Sequence, residues 1–157
     1  MIRKLRLQNF KCFEVLSLEL GSLTLLAGLN GMGKSSVLQS LLLLRQSYLQ
    51  GLLQETGLVL NGNLISIGTG RDALFEGARE EKIGFELAMN SGSEAKWFFK
   101  YNKEADVLDL NKDETEVSLE IFSSSLFNDK FHYLQAERVG PRTSYEMSDF
   151  LVRRQRQ

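Results

Sequence analysis

The chain has 157 residues, 43% of them hydrophobic and 25% charged, with a formal net charge of −1. That length sustains one domain with its own core, and the balanced charge excludes bulk electrostatic attraction to nucleic acid or a membrane, leaving only local sites for such partners. The single cysteine, Cys12, cannot close an internal disulfide, the first residues lack the apolar core of a secretion signal, and the longest apolar run, residues 41–44, is far too short to cross a bilayer; a cytoplasmic location with no membrane contact is expected.

Leu5 and Leu7 alternate with Lys4, Arg6 and Gln8, and Leu16, Leu18 and Leu20 alternate with Ser17 and Glu19. A period of two predicts two half-buried strands. Gly21 and Ser22 turn the second into residues 23–27, Leu-Thr-Leu-Leu-Ala, which read as a short buried strand. Straight after it comes Gly28-Leu29-Asn30-Gly31-Met32-Gly33-Lys34-Ser35, a match to the phosphate loop Gly-x-x-x-x-Gly-Lys-Ser/Thr. In such a loop successive backbone N–H groups converge on phosphate oxygens and the following helix adds the partial positive charge of its N-terminus. Gly31 and Gly33 carry no side chain to block the approach. Lys34 would reach the β- and γ-phosphates, Ser35 would place its hydroxyl on Mg²⁺, and Ser36 would add a donor. The candidate nucleotide-binding residues are therefore Asn30, Gly31, Met32, Gly33, Lys34, Ser35 and Ser36, with ATP and Mg²⁺ as cofactors.

From Lys34 the apolar residues recur at helical spacing, as Val37, Leu41, Leu44 and Tyr48 and as Leu38, Leu42, Leu49 and Leu52. They occupy much of the circumference, so the helix should lie between two layers and end near residues 51–57. Short strands follow. Residues 58–60 and 64–67 flank the turn Asn61-Gly62-Asn63, and residues 83–89, 95–101, 107–110 and 117–122 are separated by polar turns, which reads as an antiparallel meander. Residues 131–134 predict one more strand, in which His132 would be a satisfied structural histidine, and Pro141 stops regular structure beyond it. The expected fold is mixed α+β: a phosphate-loop lobe with a mixed core sheet around its helix, and an antiparallel β subdomain. Residues 1–57 hold the loop and helix, 58–134 the meander, and 135–157 the start of a further helical region.

The hairpin sequence Leu7-Gln8-Asn9-Phe10-Lys11-Cys12-Phe13, the loop Gly-Leu-Asn-Gly-Met-Gly-Lys-Ser-Ser and the leucine-rich helix together resemble the N-terminal part of ABC-class ATPase heads of the SMC, RecF and OLD type. Residues 133–142, Tyr-Leu-Gln-Ala-Glu-Arg-Val-Gly-Pro-Arg, look more particularly like the ATPase subunits of Septu-type anti-phage systems. The resemblance implies ATP-gated pairing of two heads, as a homodimer or higher oligomer, coupled to a nuclease partner or to DNA or RNA in repair or phage defence. It also implies that Lys11 contacts the adenine through a cation–π or stacking arrangement, with Phe13 beside it, and that Gln135 is a Mg²⁺ ligand in a Q-loop-like segment. Phe10 and Phe13 are equally readable as core, and Gln135 as a surface residue at a strand end.

Two later features of such heads are missing from this sequence: a Walker B strand, which is four apolar residues followed by Asp-Glu, and the signature motif. Asp109 follows only Val107-Leu108, and Ser91-Gly92-Ser93-Glu94 falls in a turn. No catalytic residue is assigned, and the chain is expected to bind ATP without hydrolysing it efficiently by itself, since phosphoryl transfer to water needs positioned acids beside the phosphate cradle. Two other classes share the loop. A small-molecule kinase would continue in alternating strand and helix units, and a non-catalytic interaction module would carry the loop as a vestige.

Overall fold

The computed structural model describes residues 1–134. Strands β1 (Ile2–Phe10) and β2 (Phe13–Glu19) form an N-terminal hairpin, and helix α1 (Lys34–Leu49) follows the phosphate loop. After β3 (Gly57–Val59) and the single turn α2 (Gly70–Ala73) come β4 (Lys82–Met89), β5 (Glu94–Lys100), β6 (Val107–Asp109), β7 (Glu116–Val117) and a 3₁₀ turn, Leu119–Ser123. Five strands make one sheet in the order β2-β1-β4-β5-β7, and β3 pairs with β6 in a second. Every ladder among the described residues is antiparallel. The meander is continuous with the N-terminal hairpin, because β4 pairs with β1 from Gln8 opposite Gly84 to Lys4 opposite Ala88.

The period-two pattern explains the sheet's two faces. Leu5, Leu7, Ile83, Phe85, Leu87, Trp97 and Phe99 are buried in one core with Val37, Leu43 and Leu44 of α1. Lys4, Arg6, Glu86 and Lys96 occupy the other face, where Arg6 and Glu86 approach to 3.8 Å in a half-exposed pair that contributes little to stability. Burying α1 also buries polar side chains, and each has a partner. Gln46 donates to the Val59 carbonyl at 2.8 Å and accepts from the Ile65 N–H at 3.2 Å, while the Ser47 hydroxyl accepts from the Val59 N–H at 2.8 Å. These bonds tie the helix to β3 and to the loop after it. Further along, Arg45 donates to the carbonyls of Leu126 and Asn128 at 2.6 and 3.0 Å and lies over the Phe131 ring. Burial pushes its guanidinium pKa down, opposed by Asp129, yet an arginine stays charged at such a site.

Several expectations are corrected. Residues 23–27 are not a buried strand: Leu23 and Leu25 are 93% and 86% exposed, and no described strand lies alongside to supply a ladder or a cover. The mixed core sheet around α1 is accordingly not formed among the described residues. Residues 117–122 leave the sheet after Val117 and coil into the 3₁₀ turn, because Ile121 belongs to the core and Phe122 stacks on Tyr48 with ring centroids 4.9 Å apart. Residues 131–134 form no strand, and His132 is exposed, so it is not a satisfied core histidine. Residues 64–67 form a single bridge, Asn61 to Ser66, closed by the Gly62 N–H on the Ile65 carbonyl at 2.8 Å. The helix starts at Lys34 as expected, though Leu38 and Leu49 remain exposed and its cover is incomplete.

Candidate nucleotide-binding site

The β1–β2 hairpin builds one wall of the site. Asn9 and Lys11 both take the left-handed backbone conformation, with φ of 51° and 52°. For non-glycine residues this is a strained choice that surrounding bonds must hold in place. Here the Asn9 side chain donates to the Lys82 carbonyl at 3.1 Å, the Phe75 N–H to the Asn9 carbonyl at 3.1 Å, and the Lys11 N–H to the Ala73 carbonyl at 2.8 Å. The turn is thereby fixed against α2 and the start of β4. In α2, the Asp72 carboxylate accepts from the backbone N–H of Thr69 and from its hydroxyl, which hold its pKa below the ordinary value, and the nearby Lys11 ammonium adds a smaller effect.

The phosphate loop forms the opposite wall. Gly31 and Gly33 have φ of 85° and 82°, and Gly33 is the residue from which α1 departs. A Cβ on Gly33 would overlap the Phe13 ring and the Cys12 sulfur, so this position needs glycine for its conformation and for its packing. The first intrahelical bond runs from the Val37 N–H to the Gly33 carbonyl at 3.2 Å, which leaves the N–H groups of Lys34, Ser35 and Ser36 without a helical acceptor. No side chain caps this end and the first turn holds no acid. The positive end of the helix thus has no internal counter-charge. Lys34 folds back over the loop, its Nζ donating to the Gly28 and Leu29 carbonyls at 2.7 and 2.6 Å.

Between the walls lies an open cleft of ≈ 260 Å³ lined by Lys11, Cys12, Asn30, Gly31, Gly33, Lys34, Ser35 and Ser36. The geometry brings together all but two of the residues picked out in the sequence. Met32 is 66% exposed and turns to an adjoining apolar groove with Phe13, Leu25 and Leu26, so its side chain is outside the cleft. Gln135 lies outside the described residues. The donor set suits a polyanionic tail: two ammonium groups, free N–H groups at a helix start, and the Ser35 hydroxyl. Ser35 is the one described residue that would hold Mg²⁺, which supplies charge neutralisation of the phosphates when bound. Cys12 was overlooked as a lining residue. The sequence speaks of it only as a cysteine without a disulfide partner, whereas its adjacency to Lys11 at the hairpin turn is what brings it here, with Sγ 4.0 Å from the Ser36 hydroxyl.

A loop of glycines in the left-handed backbone region opening a helix, with its lysine poised over the loop carbonyls, has the features of the phosphate-binding class of nucleotide sites. A profile of the AAA ATPase domain matches residues 1–138, and the chain belongs to that family. It is a nucleotide-binding ATPase domain, and membership implies use of ATP, usually with Mg²⁺. No curated protein and no solved structure matches the chain. Among the described residues, no helix is long and apolar enough to cross a membrane.

Proposed function

We propose that the chain is the ATP-binding lobe of an ABC- and SMC-like ATPase head, in which ATP at the loop joins two heads and passes its state to a nuclease partner or to DNA or RNA, in bacterial repair or anti-phage defence of the Septu kind. The observation that carries this reading is the acid-free, uncapped start of α1, with Lys34 in its first turn, facing Lys11 across one cleft. Asn30, Gly31, Gly33, Lys34, Ser35 and Ser36 hold the phosphates, Met32 contributes backbone only, Lys11 meets the base, and Gln135 joins Ser35 at Mg²⁺. The hairpins that follow α1 count against a small-molecule kinase, which alternates strands and helices. An interaction module with an idle loop takes support from the exposed Leu23, Leu25 and Leu29 beside the cleft.

Sedimentation velocity separates the two readings. Mg²⁺ with a non-hydrolysable ATP analogue should convert the chain from monomer to dimer, and Lys34→Ala should stay monomeric under the same conditions. Unchanged sedimentation of the unsubstituted chain at saturating analogue rejects nucleotide-gated pairing, and a dimer that forms equally without nucleotide selects the interaction module.

A further inference from the structure

Asn9 does not line the nucleotide cleft, yet it is 5% exposed, left-handed at φ 51° and bonded to the start of β4. The β1–β4 ladder ends at Gln8 opposite Gly84. From there the Asn9 side-chain amide carries the connection on, donating to the Lys82 carbonyl at 3.1 Å and facing the Glu80 carbonyl at 3.5 Å. Two acceptors fix which end of the amide is the donor. Phe10 comes next, fully buried at right angles to Phe85 with ring centroids 5.0 Å apart, and it bridges to Leu74. Lys11 then opens the two-residue turn closed by the Phe10–Phe13 pair, left-handed at φ 52° with its N–H held by the Ala73 carbonyl at 2.8 Å. Turns of this length usually place glycine or asparagine where φ is positive. A lysine there is costly, and a costly backbone persists where its surroundings over-determine it, most often at a functional site.

Resting on the proposal that a nucleotide fills the cleft, we infer that Asn9 is a positioning residue for that ligand: its side-chain amide locks the turn that stands Lys11 against the bound nucleotide. Lys11 lines the cleft beside the start of α1, whereas Asn9 works from behind the turn. Holding the Lys11 backbone before the ligand arrives removes part of the ordering cost that binding would otherwise meet, and so raises affinity without a contact. Phe13, the ring under Gly33, is held by its own pairing with Phe10, so the two contributions of the hairpin separate.

Asn9→Gly keeps the left-handed backbone accessible and removes the amide, and Asn9→Asp keeps the shape but, ionised, has no proton to donate. In the nucleotide-free chain either change should speed hydrogen exchange at the Lys11 amide about tenfold, while the Leu5 and Leu7 amides in the β1 ladders keep their protection. Calorimetric titration with Mg²⁺ and a non-hydrolysable ATP analogue should show Kd raised about fivefold to tenfold by Asn9→Gly, but less than about twofold when Lys11 is already alanine, because groups that act as a unit are not additive. A merely structural residue would weaken binding by the same factor in both backgrounds, and that result overturns the proposal. So does a Lys11 amide whose exchange ignores both Asn9 variants, whatever the nucleotide does. An unsubstituted chain that takes up no analogue, with the exchange result as expected, rejects the nucleotide reading and with it the role of Asn9 in binding, and leaves the lock on the turn intact.

Discussion

Gly33→Ala should damage the fold more than Gly31→Ala, and the difference can be worked from the geometry. Both glycines sit near φ +80°, at 82° and 85°, where any side chain costs about 1–2 kcal/mol. A Cβ on Gly31 meets nothing within 4 Å, whereas one on Gly33 overlaps Phe13 and Cys12. Overpacking of that kind adds about 1–3 kcal/mol, giving about 2–5 kcal/mol for Gly33→Ala against about 1–2 for Gly31→Ala. At roughly 2–4 °C per kcal/mol for a chain of this size, the melting temperature should fall by about 4–20 °C in the first case and about 2–8 °C in the second. Differential scanning calorimetry on the nucleotide-free variants reads this directly. Trimming Phe13 to Leu in the Gly33→Ala background should recover part of the loss. Equal melting temperatures for the two alanine variants, or no recovery, would refute the idea that the hairpin ring shapes the loop from below.

Gln46→Leu keeps the volume of a buried side chain but strips partners from the Val59 carbonyl and the Ile65 N–H, and should cost about 2–4 kcal/mol in urea unfolding. Asp72→Asn probes linkage: the carboxylate's pKa is depressed in the folded state, so its stabilisation is complete above the unfolded value near 4 and is lost as pH falls through the folded value. The variant should therefore melt below the unsubstituted chain at neutral pH, and the gap should close under strongly acidic conditions in paired melting curves.

What the sequence made legible was local. The phosphate loop, its glycines and the helix start at Lys34 depend on residues within one turn of each other, and spacing alone locates them. Strand β1 was likewise written in a period of two, and β4 and β5 in apolar stretches bounded by polar turns. Burial was another matter: residues 23–27 have the composition of a core strand, but composition cannot supply the neighbouring strand that burial requires, and Leu23 and Leu25 stand exposed. Val117 and Phe122 looked like one strand because both are apolar, yet aromatic packing of Phe122 on Tyr48 and Phe127 bends the chain out of the sheet. The hairpin's part in the cleft was also hidden. Asn9 holds the Lys11 turn through a carbonyl 73 residues away, a link that no local pattern announces.

The cleft between Lys11 and the start of α1 is proposed to hold a nucleotide through its phosphates. Thermal melting with Mg-ATP measures it most directly. A ligand bound only by the folded chain at a hundred times its dissociation constant adds about 2.7 kcal/mol, or about 5–11 °C at this chain length, and Lys34→Ala should abolish that rise while its nucleotide-free melt stays close to that of the unsubstituted chain. An unmoved melting temperature with saturating Mg-ATP, or an equal rise in Lys34→Ala, would contradict the account.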